Sequence, residues 1–156
     1  ATAPFATAGI CRPRSRHEVG ERMKRHEALK ELSREHHLGL MLAVNALRAV
    51  ESGDAARMEQ MQAECRQALA RVWEPHFHVE ECDLLPLLQS IPDGGADLAE
   101  RIAQDHAALR SYAGAGNEAA ALQAFARRMK EHIHFEEREA FPALELRWAR
   151  DDEAPR

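Results

Sequence analysis

Two stretches of the chain are near copies of each other. His76-Phe77-His78-Val79-Glu80-Glu81 is followed by Pro86, ten places after its first histidine. His132-Ile133-His134-Phe135-Glu136-Glu137 is followed by Pro142 at the same distance. The offset is constant, since 132 − 76 and 142 − 86 both give 56. A histidine and a glutamate four places apart stand on one helical face, one turn from each other. Two such pairs on facing helices aim two imidazoles and two carboxylates at one point. Both pairs continue apolar stripes, so reading them as surface salt links fails: bare carboxylates there would be costly to bury. The pattern calls for a metal site, and for helices that close around it.

The rest of the chain agrees with helices. Ala, Leu, Glu, Arg and Met are plentiful and aromatics make up only 5%, which favours helix over strand. At 156 residues one domain with a sizeable core is expected. A net charge of -5 argues against nucleic acid or an anionic membrane as the main partner. The three cysteines, Cys11, Cys65 and Cys82, are odd in number and lack CxxC spacing. They do not read as a disulfide framework, so a reducing, cytoplasmic setting is expected. No apolar run approaches a membrane span, and Ala1 to Ser15 lack the apolar core of a secretory signal.

Residues 1–16 carry Pro4, Gly9 and Pro13 without a period and read as an irregular arm. Residues 17–150 read as the helical domain, and 151–156 as a polar tail. The first helix has the stripe Leu29, Leu32, His36, Leu40, Ala43, Leu47 and Val50. Ser52-Gly53-Asp54 stops it and caps the second, which runs from about Ala55 toward Leu88. The inner stripe of that helix is Met58, Met61, Cys65, Leu69, Val72, His76, Glu80, Asp83 and Leu87, with a kink expected at Pro75. Pro92-Asp93-Gly94-Gly95 is a loop. Asp97, with Glu100 three places on, starts the third helix as a capping box; its face is Leu98, Ile102, Asp105, His106 and Leu109. Asn117 caps the fourth, striped by Leu122, Phe125, Met129, His132, Glu136, Glu139 and Ala143, with Pro142 kinking or ending it. Short loops predict an all-α, antiparallel up-down-up-down four-helix bundle.

The ligand set that this arrangement predicts is His36, His76, Glu80, His106, His132 and Glu136, with every helix contributing. Four imidazoles and two carboxylates suit iron or manganese better than calcium or magnesium. A lone zinc needs only about four ligands, so two metals bridged by Glu80 and Glu136 explain six groups better. Asp83 and Glu139, seven places after His76 and His132, are candidates for holding imidazole N–H groups. Glu81 and Glu137 fall one step off the face and are expected to be solvated. His17 and His26 precede the strong period and read as structural. His78 and His134, about 200° around the helix from the motif histidines, also read as structural. Met58, Met61 and Met129 read as core packing rather than a copper site. The order His then Glu differs from the Glu-x-x-His of ferritin-like carboxylate bundles, and HExxH is absent.

On Glu35-His36, His76-x-x-x-Glu80-Glu81 with Pro86, Asp105-His106, and His132-x-x-x-Glu136-Glu137 with Pro142, the chain resembles the hemerythrin-like (HHE cation-binding) domain family over roughly residues 25–148. The resemblance implies a four-helix bundle around a non-haem di-iron centre, bridged by oxygen (oxo or hydroxo) and carboxylates, with zinc or manganese as other occupants. It implies binding or sensing of O₂, nitric oxide, peroxide or iron. The oxygen-carrying members place His-x-x-x-His on the third helix. Here Arg110 stands four places after His106, so one imidazole is missing unless His37, His78 or His134 replaces it. The first expectation is therefore a small-ligand-binding or sensing protein, with Leu40, Val72, Phe125 and Met129 as apolar walls. The alternative is a di-iron enzyme that reduces nitric oxide or peroxide or oxidises ferrous iron. A third reading is a module whose stability is set by metal loading.

Overall fold

The computed structural model describes residues 27–116 and 118–153. The expected arm, His17, His26, Asn117 and the last three residues lie outside that set. Among the described residues the chain is helical, with four helices and no strand: α1 (Glu27–Ser52), α2 (residues 55–89), α3 (Gly95–Gly114) and α4 (residues 119–153). No helix among them is long and apolar enough to cross a membrane.

Helix α1 forms where predicted and buries Leu29, Leu32, His36, Ala43, Ala46 and Ala49, while Leu40, Leu47 and Val50 of the expected stripe are half-buried. Gly39 is needed for close approach: a Cβ there would sit 2.5 Å from Trp73 Cζ2 and 2.7 Å from Ile133 Cδ1. Gly53, at φ 65, turns the chain out of α1 through a left-handed conformation that glycine adopts at no steric cost. Asp54 then caps α2 by accepting from Arg57 N–H at 3.1 Å, satisfying one of the free donors of the first turn. Helix α3 starts at Gly95 rather than at Asp97, with left-handed Gly94 at φ 100 before it and no side-chain cap. The Asp97–Glu100 capping box does not form. The last helix continues through Pro142 and extends to Glu153.

Three prolines share one local device. Leu69–Trp73, Glu80–Leu84 and Glu136–Ala140 are wider π turns, and each ends two residues before Pro75, Pro86 or Pro142. In each, the residue just before the proline reaches back five places: Glu74 N–H to Leu69 O, Leu85 N–H to Glu80 O, and Phe141 N–H to Glu136 O. A proline donates no hydrogen bond and its ring clashes with the carbonyl four places back. The wider turn accommodates both without breaking the helix. It also delays the inner face by one residue. Trp73 is buried where Val72 was expected, Leu84 and Leu88 where Asp83 and Leu87 were, and Ala140 and Leu144 where Glu139 and Ala143 were.

Helix α1 packs chiefly on α4, α3 on α4, and α2 on α3 and α1. The interior holds two apolar clusters. One contains Ala43, Ala46, Trp73, Phe77, Leu109, Phe125, Met129 and Ile133, with Leu40 and Val72 packed against it. The other contains Leu29, Leu32, Leu84, Leu88, Ile102, Phe135, Phe141 and Leu144. In every helix the motif residues fall between the stretches that feed these clusters. The fold thus encloses a polar layer between two dry ones.

Candidate metal centre

Each helix sends one histidine into the polar layer, and α2 and α4 add one glutamate each. His36, His76, Glu80, His106, His132 and Glu136 are all buried, at 2% exposure or less. Two groups form: His36, His76, Glu80 and Glu136, and Glu80, His106, His132 and Glu136, with ligand atoms in each group within 4.8 Å of one another. All six residues singled out from the sequence are thus brought together, and the two glutamates belong to both groups.

The distances suit metal ligation. His76 Nε2 lies 3.0 Å from Glu80 Oε1, and His106 Nε2 lies 3.1 Å from Glu80 Oε2. Glu80 therefore turns one oxygen to each group. Glu136 Oε2 lies 3.0 Å from His36 Nε2 and 3.4 Å from His132 Nε2. Two metal–ligand bonds of about 2.1 Å at right angles place their donor atoms about 3.0 Å apart. All four Nε2 atoms and all four oxygens of Glu80 and Glu136 lack a hydrogen-bond partner. Buried polar atoms are normally satisfied. Eight orphans aimed at one small volume are the mark of a cation-binding cradle, and the mixed nitrogen and oxygen set fits iron.

The outer side of three of the four rings is hydrogen-bonded to an acid from a neighbouring helix. His36 Nδ1–H donates to Glu137 Oε1 at 2.6 Å, His76 to Glu35 Oε2 at 2.6 Å, and His106 to Glu81 Oε1 at 2.9 Å. His132 Nδ1 faces Asp105 Oδ2 more loosely, at 3.6 Å. The three hydrogen bonds fix the tautomer that leaves Nε2 of His36, His76 and His106 free to face inward. The holders are Glu81 and Glu137, expected to be solvated, and not Asp83 and Glu139. The π turns explain the exchange, since they rotate Asp83 and Glu139 off the inner face. Glu139 is exposed, and neither residue contacts a site histidine. The repeated Glu-Glu doublets, and an acid directly before His36 and before His106, were the available signal. Two aromatic residues also escaped the sequence reading: Phe77 stacks on His106 with centroids 3.9 Å apart, and Trp73 meets the His76 ring edge-on at 4.9 Å.

The other described histidines stay out. His37 and His78 are exposed and His134 is half-buried, and none enters either group. His78 lies 3.7 Å from Cys82 Sγ. Arg110 turns away from the centre. It forks both oxygens of Glu74 at 2.9 Å and donates to Glu81 at 2.8 Å.

Electrostatics follow the geometry. Burial and the neighbouring Glu80 carboxylate push Glu136 well above the usual carboxylate range. Burial also raises Glu80, but His106 and His76 outweigh it and hold Glu80 low. Burial and His76 lower His36, and burial lowers His132. Without a cation, two carboxylates sharing one dry space cannot both ionise comfortably. With cations of opposite charge, both are welcome.

No curated protein and no solved structure matches the chain. The model of the hemerythrin HHE cation-binding domain matches residues 28–144, which cover most of the described helices and all six inward-facing residues, and the chain belongs to that family.

Proposed function

We propose that the protein is a non-haem di-iron protein that binds or senses a small oxidant: O₂, nitric oxide or peroxide. One observation carries the reading: eight buried, unpartnered donor atoms on four helices face one volume and divide into two groups joined by Glu80 and Glu136. A bound iron pair would supply a redox-active centre able to take a small ligand. The chain's own residues do the rest. Glu35, Glu81, Asp105 and Glu137 orient the rings, Glu80 divides its oxygens between the groups, and the flanking apolar clusters exclude water. The proposal includes an up-down-up-down course for the helices. It is supported by the order in which α1 to α4 enter the two clusters, which reverses from each helix to the next.

The test is metal analysis of protein purified without added metal. Two irons per chain are expected, with a visible absorption change when the reduced protein meets O₂ or nitric oxide. Glu80→Ala with Glu136→Ala should remove both iron and absorption; full metal retention by that variant would overturn the assignment. Manganese or zinc in place of iron would redirect it.

The alternative, a di-iron enzyme reducing nitric oxide or peroxide or oxidising ferrous iron, draws on the count of four imidazoles. Arg110 is engaged by Glu74 and Glu81, among the described residues no fifth ring joins the shell, and fewer nitrogen donors leave more positions open to reactants. Sustained turnover by the reduced protein would select this reading over sensing.

A further inference from the structure

The carboxylates that hold the four imidazoles are not equivalent. On one side of the centre, both holders are tied to arginines. Glu81 Oε1, which takes His106 Nδ1–H at 2.9 Å, also takes Arg110 Nη1–H at 2.8 Å. Asp105, which faces His132, takes Arg128 Nη1–H at 3.0 Å. On the other side no arginine intervenes among the described residues. Glu137 holds His36 and takes a second hydrogen bond from the neutral Ser33 hydroxyl at 2.6 Å. Glu35 holds His76 at 2.6 Å. The ring-to-acid distances follow the same division, 2.6 and 2.6 Å against 2.9 and 3.6 Å.

A carboxylate that shares its charge with a guanidinium is a weaker acceptor for an imidazole N–H. The ring it holds is then less electron-rich and a poorer donor at Nε2. The guanidinium charges also stand closer to that half of the centre and oppose a cation there. Resting on the metal-centre reading above, we propose that the two positions are unequal. The His36–His76 position holds a divalent cation more tightly than the His106–His132 position, and Arg110 and Arg128 act as positioning residues that set the difference. The arrangement would let the protein exchange one ion while the other stays, as a metal-responsive device requires.

The experiment starts from the full chain loaded with zinc(II), a diamagnetic probe, and withdraws the metal with a graded chelator. Imidazole ¹⁵N resonances report each ring. His106 and His132 should revert to their metal-free positions first, and His36 and His76 only at higher chelator. In an Arg110→Met/Arg128→Met variant the interval between the two steps should shrink by roughly tenfold, the scale on which partners outside the ligand shell change metal affinity. The Arg110→Lys/Arg128→Lys variant, which keeps charge but loses the planar fork, should fall between. Both arginines are about a third exposed, so the fold tolerates these changes. Loss of zinc from all four rings in step, loss from His36 and His76 first, or an interval unchanged by removing the arginines would overturn the inference. If no ring responds to zinc at all, the metal-centre reading itself falls, and the inference with it.

Discussion

Glu35 on α1 accepts a 2.6 Å hydrogen bond from Nδ1 of His76 on α2, and the same relation runs around the bundle. His106 of α3 is held by Glu81 of α2, His132 of α4 faces Asp105 of α3, and His36 of α1 is held by Glu137 of α4. Each helix therefore gives one ring to the centre and one acid, adjacent in sequence to a ligand, to the next helix's ring. Truncation of any holder frees a ring whose inner nitrogen must be aimed. Glu35→Ala should weaken metal binding roughly 10–100-fold, measured by competition with a chelator. Glu51→Ala, at an exposed position of the same helix, should leave it unchanged. Equal affinities for the two variants would show that the holder does not matter.

Metal removal should destabilise the fold. A cation bound only by the native state stabilises it, by roughly 2.7 kcal/mol at a free concentration a hundred times Kd. The eight orphaned atoms have no other partner to turn to. Chelation should lower Tm by several degrees, and readdition of ferrous iron under argon should restore it. An unchanged Tm by calorimetry would count against the centre as a structural keystone.

Glu136 gives a pH signature in the metal-free protein. Burial and Glu80 raise its folded pKa above the ordinary 4.5. Above about pH 4.5 the unfolded chain gives up this proton more readily than the fold does, so the group opposes folding there. The penalty grows with rising pH until the folded pKa is reached. Glu136→Gln mimics the protonated form and escapes it. Metal-free Glu136→Gln should thus be more stable than the parent at pH 7, with the gain vanishing as pH falls toward 4.5, while its metal affinity drops. Urea denaturation across that range checks the sign; a parent more stable than the variant at pH 7 would refute it.

Gly39 is a packing prediction. A methyl there would overlap Trp73 and Ile133, and Trp73 is the ring against which His76 rests. Gly39→Ala should cost about 1–3 kcal/mol in urea unfolding and weaken metal binding by displacing His76. Parent-like values for both would mean that the helices part freely at that point.

How much of this was legible beforehand divides at the π turns. His36, His106, His132 and Glu136 were readable because three- and four-residue spacing on apolar stripes survives from each helix start to the motif; His76 and Glu80 lie past the π turn at Leu69–Trp73 and were readable because they repeat the His-x-x-x-Glu pair of α4. At Leu69–Trp73 the face moves from Val72 to Trp73, and past Glu80–Leu84 and Glu136–Ala140 it shifts by one residue. Asp83 and Glu139 were therefore named in error, and Trp73, Leu84 and Leu144 were missed as core. The prolines were visible, and a kink was the natural inference; that they widen a turn instead depends on tertiary packing that keeps the helix going. The third helix's start was misread because Asp97 and Glu100 look like a capping box, whereas the glycine pair before them sets the turn.

The most direct test of the central claim is anomalous diffraction at the iron edge from crystals of the iron-loaded protein. The account predicts two iron peaks flanked by Glu80 and Glu136, one beside His36 and His76 and the other beside His106 and His132. No peak in the polar layer, or iron bound only at exposed histidines such as His37 or His78, would contradict it.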